Sequence, residues 1–165
     1  MVIRKVTGLS LSEFMAEALW DPLGAEADAT WWTDSERNEF NCVGYAATLR
    51  DWGRLGLLVA NKGRVGEKQI VSEAWIRECT SWGPQDKHVR FNIIREGLGY
   101  KGLFWHWKSD GSRPFFNGVQ GQRVIVDLPS GVVLVHTALD NDPRESDHSR
   151  GYPELHQMID SAVVI

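Results

Sequence analysis

The stretch "RVIVDLPSGVVLVHTAL", residues 123–139, limits the possible fold more than any other part of the chain. It reads as two strands joined by a tight Pro129-Ser130-Gly131 turn, an antiparallel hairpin. Both strands are nearly continuously apolar instead of alternating, so a sheet built from them needs cover on both faces. Helices elsewhere in the chain have to provide that cover.

The upstream half offers such helices. Ser10-Leu11-Ser12-Glu13 has the form of a capping box and opens a helix through about Leu19, with Leu11, Phe14, Met15, Ala18 and Leu19 as its apolar stripe. Asp21-Pro22-Leu23-Gly24 is expected to stop it. Residues 25–42 read as loop, including the polar run Asp34–Glu39, which looks exposed. Thr48 caps a second helix with Leu49, Trp52, Leu55, Leu58 and Val59 on one face, and Asn61-Lys62-Gly63 ends it. Gly53 and Gly56 each cost about 1 kcal/mol relative to alanine inside a helix, which points to a tight packing contact there. A turn or short hairpin spans Gly63–Gln69, and Ser72 caps a third helix, "SEAWIREC".

Residues 84–96 carry no periodicity and read as a surface loop. From Gly99 the period changes to that of strands, first in the aromatic "YKGLFWHWK" and then in the hairpin. After a charged loop over 140–153, "PELHQMIDSAVVI" reads as a closing helix with Leu155, Met158, Ile159, Ala162 and Val163 inward and His156 at the surface. The layout is α+β, with helices first, then a short antiparallel sheet, then a helix packed on it, in one domain over 1–165.

The chain begins with part of a pattern. Val2, Ile3 and Val6 suit an amphipathic helix end and Gly8 a stop, yet no cap precedes them. Either Met1–Thr7 frays or this chain is the back part of a longer protein.

Chemistry-bearing patterns are few. A net charge of −4 without a basic run argues against a nucleic-acid surface, and no apolar stretch approaches the roughly 20 residues of a membrane span. No cofactor is implied: there is no metal-ligand spacing, no Gly-rich phosphate loop and no Gly-x-Ser-x-Gly elbow. Cys42 and Cys79 read as two separate thiols. Eight tryptophans suit either a core or the wall of an organic-ligand pocket. His88 and His148 fall in polar stretches, and His136 reads as a satisfied sheet residue. His106, between Trp105 and Trp107, is the histidine to watch, with a structural role as its ordinary alternative.

Three stretches together carry a resemblance. "VTGLSLSEFMAEALWDPLGAEADATWW", "VGYAATLRDWGRLGLLVANKG" with "IVSEAW", and "NGVQGQRVIVDLPSGVVLV" resemble the back half of serine hydrolases related to class C β-lactamases and penicillin-binding proteins, nearest the esterase and 6-aminohexanoate-dimer hydrolase branch. The likeness runs from about residue 2 to residue 138. It implies a partial β-lactamase-like fold, the C-terminal portion of such a domain, and acyl transfer on ester or amide bonds as the family activity.

In that family, a Ser-x-x-Lys nucleophile motif and a Tyr-x-Asn or Tyr-x-Ser motif precede the segment matched here. Neither Ser-x-x-Lys nor Tyr-x-Asn occurs in these 165 residues. No catalytic residue is therefore assigned, and the chain is expected to be inactive alone. The third family motif should fall near 113–118, where "RPFFNG" departs from it. The resemblance implies that this chain supplies the site-lining strand, an oxyanion-hole donor near Asn117–Gln120, and pocket-wall aromatics. The candidate substrate-binding residues are Trp105, His106, Asn117, Gly118 and Gln120. The expected partner is a small ester or amide substrate, once an N-terminal half completes the site. The alternatives are a non-catalytic ligand-binding or complementing module derived from the same fold, and an unrelated α+β domain.

Overall fold

A computed structural model describes residues 2–83, 86, 97–139 and 152–163. The expected loops over 84–96 and 140–153 lie outside them, apart from Asp86 and the first turn of the closing helix, as do His88 and His148.

The first helix, α1 (Val2–Thr7), forms despite lacking a cap, and Gly8 ends it at φ 81° with its N–H on Arg4 O at 3.0 Å. Arg4 also reaches Asn38 Oδ1 at 3.3 Å, a tie to a distant loop. The capping box is present: Ser10 Oγ accepts from Glu13 N–H, and the Glu13 carboxylate accepts from Ser10 N–H at 2.7 Å, opening α2 (Leu11–Met15). The helix does not stop near Leu19. It widens into a π turn (Ala16–Trp20) and continues as α3 (Asp21–Leu23) to Gly24, at φ 71°. The wide turn lies just before Pro22, whose ring would press on the Ala18 carbonyl in a regular α-helix.

The segment expected to be all loop contains a strand. β1 (Thr30–Trp31) pairs antiparallel with β2 (Tyr45–Ala46), and Thr33 bridges Glu39. Trp20, Trp31 and Trp52 all meet Tyr45 edge-on, with ring centroids 4.8–5.7 Å apart.

Helix α4 (Leu49–Ala60) starts where Thr48 Oγ1 accepts from Asp51 N–H at 3.1 Å. Asp51 is fully buried and also accepts from Glu26 N–H and the Arg54 guanidinium. Leu58 and Val59 point inward, but Leu49 and Leu57 are exposed. A short hairpin, β3 (Arg64–Val65) and β4 (Lys68–Gln69), leads to α5 (Glu73–Thr80), capped by Ser72.

The main sheet has five antiparallel strands in chain order: β5 (Gly99–Lys101), β6 (Phe104–His106), β7 (Pro114–Asn117), β8 (Arg123–Asp127) and β9 (Val132–His136). "YKGLFWHWK" is thus a hairpin, turned at Gly102 and Leu103, both at positive φ. All of β8 is buried, as its unbroken apolar run requires. One face packs Phe104, Phe116 and Val126 against Val59, Ile76 and Cys79 of α4 and α5. The other packs Trp105, Phe115 and Ile125 against Leu155 and Ile159 of α6 (Tyr152–Val163).

The inward face of α6 differs from the sequence pattern. His156 and Ile159 are buried and Leu155 is half-buried, whereas Met158, Ala162 and Val163 are exposed. Arg113, buried at the start of β7, reaches Asp160 Oδ1 at 2.7 Å and His156 O at 3.4 Å, which fixes the rotation of the helix.

Candidate functional site

Strands β6 and β7 pair Trp105 with Phe115 and His106 with Pro114. Side chains alternate across a sheet, so Trp105 and His106 project from opposite faces, while Trp105, Phe115 and Asn117 share one. On that face the Trp105 ring stacks on Phe115 at 6.4 Å and meets Tyr100 edge-on at 5.0 Å, and it stays half-buried. Asn117 ends β7 with its side-chain oxygen buried and without a hydrogen-bond partner.

His106 sits elsewhere. It is fully buried under α5, edge-on to Trp82 at 5.3 Å. Both ring nitrogens lack a hydrogen-bond partner, although main-chain groups of Lys101, Cys79 and Gly111 lie nearby. Burial lowers its pKa to about 4, which keeps the ring neutral near pH 7. It does not share a wall with Trp105. Beneath it the buried Lys101 ammonium is held by Ser81 O at 3.0 Å, Asp86 at 3.0 Å and Glu78 at 3.1 Å.

The loop after Asn117 turns the chain into β8. Gly118 N–H donates to Gln122 O at 2.8 Å, and Gln120 N–H donates to Gln122 Oε1 at 3.1 Å. Between them, the Val119 N–H has no acceptor among the described residues, and the Val119 side chain is exposed. Arg123 donates to the Gly118 carbonyl at 2.9 Å, and the His136 ring meets the Gly121 carbonyl at 2.9 Å. Gly118 has no room for a side chain: a Cβ there would collide with Gln122. Asn117, Gly118 and Gln120 therefore belong to one structured turn, and Trp105 lies on the face that leads to it.

Comparison with known proteins bears on the fold that holds this turn. No family model matches the chain. It is 26% identical over 145 residues to the 6-aminohexanoate-dimer hydrolase of Paenarthrobacter ureafaciens, covering 86% of this chain and 37% of that protein. A Bacillus anthracis structure named as a 6-aminohexanoate-dimer hydrolase superposes with a TM-score of 0.81 at 25% identity, over 96% of this chain and 40% of that one. The chain carries part of a β-lactamase-like fold. A Bacteroides dorei structure named as a β-lactamase shares that fold at a TM-score of 0.67 and 16% identity, over 98% of this chain and 54% of that one. The chain thus spans well under two thirds of the length of each of these proteins.

The β-lactamase-like relationship gives the motifs a physical meaning. In "RDWGRLG", Asp51 and Arg54 pair at 2.8 Å and hold the 26–27 turn, while Gly56 lets α4 lie against the sheet. Val119 falls inside the Asn117–Gln120 span in which the resemblance implies a main-chain donor, whereas Gln122 is not singled out by the sequence. The Gly121-Gln122 pair before a strand was the only available signal for the latter.

Proposed function

We propose that this chain forms the sheet wall of an acyl-transfer site in a β-lactamase-related serine hydrolase acting on ester or amide bonds. The observation that carries this reading is the β7–β8 turn, where the main-chain N–H of Val119, one residue beyond Gly118, has no acceptor among the described residues and stands between two amides that do. A preorganised backbone donor aimed at the developing oxyanion is what such chemistry requires from its strand wall. Asn117 offers a buried unpaired oxygen, and the half-buried Trp105 and Tyr100 make the neighbouring wall aromatic, with the fully buried Phe115 behind Trp105. These features suit a substrate with an apolar acyl portion and a polar linkage.

The nucleophile comes from polypeptide other than these 165 residues, because acyl-enzyme chemistry in this family needs an activated serine and none stands in a Ser-x-x-Lys context here. Two surfaces suit such a complement. β9 pairs with β8 on one side and with no strand on the other among the described residues. Leu49 and Leu57 of α4 are exposed at 52% and 46%, apolar area that a second segment would cover.

The test is ester hydrolysis. The purified chain should give no serine-dependent burst with p-nitrophenyl acetate, and adding a polypeptide that carries Ser-x-x-Lys and Tyr-x-Asn from a β-lactamase-like relative should produce one. A burst from the chain alone would overturn the assignment. Complementation that restores binding of a substrate analogue but never turnover would favour a ligand-binding module instead.

A further inference from the structure

The β7–β8 turn contains more organisation than a connection of its length needs. Gln122 lies at its centre. Its side-chain oxygen accepts from Gln120 N–H at 3.1 Å, its side-chain nitrogen donates to Ala138 O at 2.8 Å, and its own carbonyl accepts from Gly118 N–H at 2.8 Å. The same side chain occupies the space a Cβ on Gly118 would take. Since Gly118 has an ordinary negative φ, its small size is explained by that space and not by the backbone.

We propose that Gln122 is a positioning residue: by binding Gln120 and Ala138 together it claims the N–H adjacent to that of Val119 and holds the turn in the shape that leaves the Val119 N–H open. The inference rests on the acyl-site reading for what Val119 would bind, but not for the clamp itself. Three consequences follow from the geometry. Without the Gln122 side chain, the Gln120 N–H is released, and two adjacent amides compete for any oxyanion. The turn also loses its tie to the segment after β9. Glutamate at 122 keeps the acceptor for Gln120 and loses the donor to Ala138, so it separates the two roles.

The experiment is residue-resolved amide exchange by NMR on the full chain and its Q122A and Q122E variants, with the Ile125 amide in β8 as the control for folding. In Q122A, Gln120 should exchange about fivefold to tenfold faster, the loss expected for one hydrogen bond, with Ile125 unchanged. In Q122E, Gln120 protection should return to the wild-type value. Unaltered Gln120 exchange in Q122A, or no recovery in Q122E, would overturn the clamp. Should Q122A lose Ile125 protection, Q122E alone decides: retained Gln120 protection supports the clamp and lost protection refutes it.

Sodium acetate serves as the oxyanion probe. Its titration should shift the Val119 amide but not that of Gln120 in the wild type, and both in Q122A. A silent Val119 in a wild-type chain with normal Gln120 protection would leave the clamp standing and remove the acyl-site reading of the turn.

Discussion

Gly56 of α4 packs so closely under Val133 of β9 that a Cβ at position 56 would stand 2.5 Å from Val133 Cγ1 and 3.0 Å from Val124 Cγ1. At Gly53, one turn earlier, a Cβ would meet only Val135 Cγ2, at 3.8 Å, an ordinary contact. G56A should therefore destabilise by about 1–3 kcal/mol through overpacking, even after the helix gains from alanine. G53A should stabilise by about 0.5–1 kcal/mol. Urea unfolding of both variants checks this, and equal effects would refute it.

Arg113 bonds Asp127 at 2.8 Å through Nε and Asp160 at 2.7 Å through a terminal nitrogen, joining β7, β8 and α6. Removing the guanidinium leaves the buried Asp127 carboxylate without its cationic partner and held, among the described residues, by Ser130 alone. R113L should cost about 3–5 kcal/mol. D160N, at a carboxylate that is 61% exposed, should cost under about 1 kcal/mol. Thermal unfolding ranks the two, and a larger loss for D160N would contradict the assignment of Asp127 as the principal partner.

Glu39, in a run that reads as exposed, is buried against the start of α2, where one carboxylate oxygen accepts from Ser12 N–H at 3.0 Å and Ser12 Oγ at 2.6 Å. Burial alone would raise its pKa, but the Ser12 bonds win and hold it at about 2. Because the folded value is below the unfolded 4.5, this contact stabilises fully above pH 4.5 and fades as pH falls toward 2. S12A should move the Glu39 pKa upward and lower stability at pH 7 by about 1–2 kcal/mol. NMR titration of the Glu39 side chain reads the first effect, and an unshifted value would exclude Ser12 as its cause.

His106 and His156 are buried and neutral, with pKa lowered to about 4 and about 3. Burial is the main cause for both, and Arg113 adds repulsion at His156. Here the unfolded state takes up protons first, below about pH 6.5, so stability declines as pH falls from 6.5 toward 4. At pH 5 each should cost about 2 kcal/mol relative to pH 7. Replacing His156, stacked on Trp107 at 4.1 Å, by phenylalanine should flatten that decline. Denaturant unfolding across this pH range tests it, and an H156F slope equal to wild type would remove His156 from the explanation.

Local chemistry made much of the fold readable. Ser10, Thr48 and Ser72 cap the helices their positions imply, because a cap depends on residues three apart. The 123–139 hairpin and the close contact at Gly56 follow from an unbroken apolar run and a helix interior that tolerates glycine. The absence of Ser-x-x-Lys is likewise a property of the sequence alone.

Long-range contacts decided the rest. The rotation of α6 depends on Arg113, 47 residues before Asp160, and the burial of Glu39 depends on Ser12, 27 residues away. His106 and Trp105 are neighbours in the chain, yet pleating sends them to opposite sides of a sheet whose helical covers differ. In the β7–β8 turn the Gln120 amide is claimed by the folding-back of one glutamine side chain, which no pattern of residues announces. Periodicity reports which face a residue takes, whereas partners brought from distant parts of the chain determine what that face meets.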